Sequence, residues 1–214
     1  MHRILLVIII LFSFSSCKLD PFETLAATEN GIVFSKLPTF IGGGVHQKVY
    51  APKQKILLMP WEQVYKLDTG LQTVSWGAKG EGDNSKVEDF VQTRALDGNE
   101  VSLTMTVSYR VMPEKVGYVI QKIGVTNEAV KQLVTVVARS DIRTYMNFLR
   151  TDDFSNSDER TKRVLQIKNA MNSRLQPEGI EIIDVLYVKR LFSKAMADGT
   201  LDTRYQDEIN KTYR

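Results

Sequence analysis

FVQTRALDGNEVSLTMTVSYRV, residues 90–111, decides how the rest of the chain is read. From Val101 onward the apolar side chains Val101, Leu103, Met105, Val107, Tyr109 and Val111 alternate with Ser102, Thr104, Thr106, Ser108 and Arg110. A period of two is that of a strand with one buried and one wetted face. Asp97-Gly98 precedes it, and Asp-Gly is a tight-turn pair because glycine takes positive φ freely and aspartate tolerates it. The stretch therefore predicts a hairpin with Phe90–Leu96 as its first arm and a two-residue turn. Other elements must cover its apolar face.

The chain has 214 residues, 43% hydrophobic and 25% charged, which suits one well-buried core. Its 28 Lys+Arg against 25 Asp+Glu give +3, and no basic run is interleaved with aromatics. The electrostatic footprint of a nucleic-acid binder is missing. One cysteine, Cys17, excludes an internal disulfide, and with His2 and His46 as the only histidines no zinc cluster can form. Neither a metal nor a cofactor is expected.

Residues 1–17 have a short basic start (His2, Arg3), an apolar run Ile4–Phe14, and small residues Ser15 and Ser16 before Cys17. A bilayer-spanning helix needs roughly twenty apolar residues, and the three-part pattern is that of an export signal. Phe14-Ser15-Ser16-Cys17 resembles a bacterial lipobox, in which the cysteine is lipidated. The alternative is an uncleaved N-terminal anchor with Cys17 unmodified. Either tethers the chain to a membrane, with the remainder on the extracytoplasmic side.

Residues 18–28 read as a polar spacer, and Ile32, Val33 and Phe34 open the folded part. Gly42-Gly43-Gly44 is a turn between strands, since Gln47 stands where the last glycine of a dinucleotide fingerprint belongs. Gly80–Lys86 lacks the spacing of a phosphate loop and reads as exposed. Val45–Tyr50, Lys55–Met59 and Gln63–Val74 are strand-like, interrupted by Pro52 and Pro60. Trp61 and Trp76 are core or rim packing, or interfacial anchors on a membrane-facing surface.

Pro113 opens a short helix to Lys122, ended by Gly124. Thr126 or Asn127 caps a long helix to about Phe148 with apolar residues at 130, 133, 134, 137, 142, 145, 146 and 149. Ser157 caps a second, Asp158–Leu175, with Val164, Ile167, Met171 and Leu175 on one face and Arg160, Lys162, Arg163, Lys168 and Arg174 pointing away. Pro177 and Gly179 stop it. Ile180–Leu191 is a last strand, apolar enough to be mostly covered. Strands, then helices, then one strand make an α+β fold.

That order resembles the SPFH/Band 7 superfamily of stomatins, prohibitins, flotillins and membrane-bound modulators of bacterial AAA proteases. The resemblance rests on the N-terminal membrane segment, the GIVF strand, and the Pro60 segment leading to Tyr65-Lys66-Leu67-Asp68. It rests above all on Thr93-Arg94-Ala95-Leu96-Asp97-Gly98 with the alternating strand and Pro113-Glu114-Lys115-Val116. The Arg160-containing helix and Gly179-Ile180 with Ile182, Asp184 and Val185 complete it. It implies residues 29–192 as the domain, a mainly antiparallel sheet packed by two to three helices, with a tail at 193–214. The family's long coiled coil has no counterpart here; Leu201, Tyr205, Ile209 and Tyr213 recur every four residues, as at the start of a helix.

The resemblance implies a membrane-anchored, non-enzymatic scaffold that forms homo-oligomers, organises membrane lipids or limits a membrane-bound protease. Arg160, Lys162, Arg163, Asp158 and Glu159 could pair with a neighbouring subunit or form a solvated helix face. A hydrolase is the weaker reading. Any triad must use His46, no G-x-S-x-G occurs, and Asp152-Asp153 is better explained by helix capping. A monomeric ligand-binding lipoprotein requires an apolar pocket on the sheet's inner face.

Overall fold

The computed structural model describes residues 21–41, 43–77, 89–195 and 201–202. In chain order it has β1 (Phe22–Thr24), β2 (Glu29–Ser35), β3 (Gly44–Tyr50), β4 (Lys55–Leu57), β5 (Glu62–Asp68), β6 (Gln72–Trp76), β7 (Val91–Arg94) and β8 (Glu100–Val111). Helices α1 (Val116–Lys122), α2 (Asn127–Met146) and α3 (Ser157–Leu175) follow, then β9 (Ile180–Ala195) and β10 (Leu201–Asp202). The architecture is α+β.

The alternation in β8 sorts its side chains as expected: Val101, Leu103, Met105, Val107, Tyr109 and Val111 are buried, while the intervening residues are half-buried or exposed. Val91–Arg94 pair antiparallel with Glu100–Leu103, so the hairpin forms. Its turn differs from the expected two-residue type. The Gly98 N–H donates to the Ala95 carbonyl at 2.9 Å and the Ala95 N–H to the Asn99 carbonyl at 2.8 Å, which leaves a three-residue loop. Only Gly98 takes a positive φ, +90°. Asp97 instead accepts the Thr151 N–H at 3.1 Å, tying the turn to the segment after α2.

β8 is the spine of a five-stranded antiparallel sheet: β9 lies on one side, β6 and β7 pair with successive parts of the other, and β10 joins the far side of β9. α2 and α3 cover its inner face. α2 buries Val130, Val134, Ala138, Ile142 and Met146, and the Thr126 hydroxyl caps it by accepting the Ala129 N–H. α3 buries Ile167, Met171 and Leu175. Its cap is Asn156, whose Oδ1 accepts the Asp158 N–H at 3.0 Å, rather than the expected Ser157.

Three further differences from the sequence reading have physical causes. The run 63–74 is two strands, because the Asp68 carboxylate accepts the Gly70 N–H and turns the chain from one sheet into the next. Over Ile180–Val188, β9 is covered on one face only, with Leu186 and Val188 exposed on the other. Leu201–Asp202, expected to start a helix, pair with Lys194 and Ala195 as β10; residues 203–214 lie outside the described residues, as does the loop 80–86.

A smaller layer stands beside this body: a three-stranded sheet ordered β3, β2, β5 and the two-stranded β1–β4 pair. β2 faces two ways. Ile32 enters the main core, and Val33 packs with Leu25, Ile56 and Val64 in a second cluster. Within the stretch that reads as spacer, Phe22–Thr24 thus form β1 and the next residue, Leu25, joins that cluster.

Candidate functional site

At one end of the three-stranded sheet, Ser35 pairs with both Gly44 and Glu62, so the β2–β3 and β4–β5 connections leave together. Each connection is locally determined. Met59-Pro60-Trp61-Glu62 is a turn with proline at its second position, where its fixed φ suits the bend. The Glu62 N–H donates to the Met59 carbonyl, and the Glu62 carboxylate accepts the Met59 N–H, both at 2.9 Å. In the other connection, Thr39–Ile41 form a single 3-10 turn in which the Ile41 N–H donates to the Pro38 carbonyl at 3.0 Å.

Hydrogen bonds tie these connections to each other and to the first described residues. The Lys36 N–H donates to the Trp61 carbonyl at 2.8 Å and the Leu58 N–H to the Pro21 carbonyl at 2.7 Å. Phe22 is directly opposite Leu57 across the β1–β4 pair. This end of the sheet carries uncovered apolar side chains, a tip: Phe40 is 86% exposed, and Ile41, Met59, Leu57, Phe22 and Trp61 are exposed on the same connections or on the strands that lead to them. Lys55 places its ammonium 4.8 Å from the centre of the Phe22 ring. An indole and phenyl rings with a lysine beside one of them suit the boundary between lipid headgroups and acyl chains.

The residues singled out by sequence are distributed differently. Trp61 is in the tip and Trp76 is core, 2% exposed. His46 is exposed on β3, and neither a catalytic constellation nor a cluster of three or more His, Cys, Asp or Glu occurs among the described residues. The Asp153 carboxylate caps its own turn through the Arg150 N–H. Cys17 lies outside the described residues.

Of the α3 bases expected to point away, Arg160 and Arg163 fold back. Arg160 donates to the Phe154 carbonyl and lies 5.4 Å over the Tyr187 ring; Arg163 lies 5.7 Å over Phe148. Lys162, Asp158, Lys168 and Glu159 are exposed or half-buried without an ion pair among the described residues.

Residues 24–212 match the family model described as SPFH domain / Band 7 family. The chain belongs to this family. No curated protein matches it. SPFH domains are membrane-associated and generally non-enzymatic scaffolds. No helix among the described residues of this SPFH domain is long and apolar enough to cross a membrane. Its exposed tip is the feature of the described surface best suited to contact lipid, and sequence reasoning found only Trp61 of it. Phe40-Ile41, two consecutive apolar residues between Pro38 and a glycine triplet, carried a further signal.

Proposed function

We propose that this SPFH domain is a membrane-anchored, non-enzymatic scaffold. It is held by a lipidated Cys17 on the extracytoplasmic side and assembles side by side with copies of itself. Such an assembly organises the surrounding lipids or limits a membrane protease's access to substrates. The observation that carries the reading is the apolar tip, which lies where the chain emerges from residues 1–20. A tether there brings Phe40, Ile41 and Trp61 to the bilayer, where their apolar area leaves water.

The alternative, a monomeric ligand-binding lipoprotein, needs space on the inner face of the sheet. That face is occupied: Leu103, Met105, Val107 and Tyr109 are fully buried together with Val134, Ala138, Ile142 and Ile167 from α2 and α3.

The test uses the full chain in vesicles whose acyl chains carry bromine, with Trp76→Phe leaving Trp61 as the sole indole. Quenching of Trp61, with crosslinked species larger than a monomer in the same vesicles, is the expected result. Failure to remain with vesicles on flotation, or crosslinking to monomer only, overturns the reading.

A further inference from the structure

Behind the apolar tip the charges are sorted by depth. Residues 21–77 contain five lysines and four carboxylates. Two of the carboxylates, Glu29 and Asp68, face each other across β2 and β5 at the end of the sheet farthest from the tip. Nearer the tip, Lys36, Lys48, Lys55 and Lys66 outnumber Glu23 and Glu62. Both of these acids are half-buried and engaged: Glu23 pairs with Lys66, and the Glu62 carboxylate accepts the Met59 N–H of its own turn. Lys36, Lys48 and Lys55 are exposed and have no ion pair among the described residues.

The backbone fixes how far each of these lysines stands from the tip. Lys36 follows Ser35 directly, and its N–H donates to the Trp61 carbonyl. Lys55 is two residues before Leu57 on β4, with its ammonium over the Phe22 ring. In β3, Val45 pairs with Phe34 and Val49 with Ile32, so His46, Gln47 and Lys48 bulge at the level of Val33, two residues behind Ser35. Lys48 Nζ lies 4.8 Å from the centre of the Tyr50 ring. Two residues of strand measure about 7 Å. The headgroup layer on each side of a bilayer is about 5–7 Å deep. With Phe40, Ile41 and Trp61 at the boundary of the hydrocarbon, the three ammonium groups fall in the headgroup layer, where a long lysine stem lets the charge meet a phosphate.

We propose that Lys36, Lys48 and Lys55 make the tip selective for anionic phospholipid. The inference rests on the reading that the tip enters the bilayer, and it names the lipid class. A zwitterionic headgroup carries its own cation beside the phosphate, whereas an anionic one leaves a negative charge for the protein to meet. Each lysine held at an anionic surface is favoured by up to about fivefold. The order along the sheet, apolar first and cationic about 7 Å behind, is that of an anionic leaflet, with acyl chains beneath a negative surface. Each copy then gathers anionic lipid around itself. The lysine contribution is screened by salt and the apolar one is not.

The full chain carrying Trp76→Phe is reconstituted in vesicles of equal parts phosphatidylglycerol and phosphatidylcholine, with bromine on the acyl chains of one lipid or the other. Trp61 is expected to be quenched about twofold more by the brominated phosphatidylglycerol, since only some of the lipids touching the indole stand beside a lysine. The ratio should fall to about one in Lys36→Gln/Lys48→Gln/Lys55→Gln, and also in about 1 M salt, where the screening length is about 3 Å. Lys162→Gln/Lys168→Gln, on α3 of the main body, should leave it unchanged. The three lysines are exposed, so the triple variant should keep the parent's melting midpoint; the salt series tests the same point with the lysines in place. A ratio of one in the parent overturns the proposal, as does a ratio that survives the triple substitution or high salt. If both lipids quench Trp61 equally, the selectivity is wrong and the membrane-bound tip stands. Quenching by neither lipid removes both.

Discussion

Arg174 of α3 places Nη2 3.0 Å from Oδ1 of Asp141 on α2, and the two sides of this pair have opposite surroundings. The Asp141 side chain is wholly enclosed, while the Arg174 side chain is 55% exposed. Neither Asp141 oxygen has a hydrogen bond of good geometry, so one cation reaching in from the surface is the carboxylate's main compensation. Breaking a fully buried pair by removing one partner costs about 3–5 kcal/mol. With Arg174 half in water, Arg174→Ala is expected to lose about 2 kcal/mol, read by urea denaturation as a lower midpoint with an unchanged slope.

The same carboxylate gives a pH dependence of defined sign. Burial raises the Asp141 pKa above the ordinary 3.8, and Arg174 opposes this more weakly. The native state therefore holds the proton more tightly than the unfolded chain. Its contribution is most favourable at low pH and is lost as pH rises from 3.8 through the folded value. Asp97 acts in the opposite sense: the Thr151 hydroxyl lowers its pKa, giving stability present above 3.8 and lost on acidification. Thermal melts of wild type and Asp141→Asn between pH 4 and 7 separate the two. The wild type is expected to gain on the variant as pH falls; a constant difference contradicts this account.

Two glycines with the same backbone angle should respond differently to alanine. Gly98 and Gly179 both have φ +90°, but a Cβ on Gly98 meets nothing within 4 Å. On Gly179 it would lie 2.8 Å from Val119 Cγ2 and 2.9 Å from Lys115 Cβ. Gly98→Ala should cost about 1 kcal/mol of backbone strain alone. Gly179→Ala adds overpacking against the start of α1 and should cost roughly 3 kcal/mol. Denaturation midpoints of the two variants check the order.

What could be read from sequence follows from how local each signal is. β8 was legible because all of its apolar residues fall on one face, and the helices because their stripes and stops lie within single segments. β9 was misread as mostly covered because its bulges at Ile183 and Val188 shift the period of two. IEIIDVLYV then sends Ile180, Ile182 and Val185 inward but Leu186 and Val188 outward. Arg160 and Arg163 were misplaced for a different reason: a helical wheel records charge, not a long arm folding its guanidinium onto Tyr187 or Phe148. The tip was recognised only at Trp61, since it is assembled from β1, the β2–β3 connection and the β4–β5 turn.

That assembly makes the tip separable from the fold. Phe40, at 86% exposed, contributes little to the folded core, so Phe40→Ser should leave the melting midpoint within about 2 °C. Trp61 is 43% exposed, and its turn is held by Pro60 and Glu62 rather than by the indole, so Trp61→Ser should behave similarly. In water-to-lipid transfer each ring is instead worth about 1.5–3 kcal/mol on full burial, and partial insertion realises about half. Each substitution is therefore expected to weaken vesicle binding of the chain lacking residues 1–20 by about fivefold, and the pair by about twentyfold. Sedimentation with phospholipid vesicles measures this directly. The truncation removes the tether proposed at Cys17, so that any contribution from it no longer masks the tip. It leaves every described residue in place, and its melting midpoint must match that of the full chain before the comparison is made. Equal binding by the double variant and the parent would mean that the tip faces another protein or solvent.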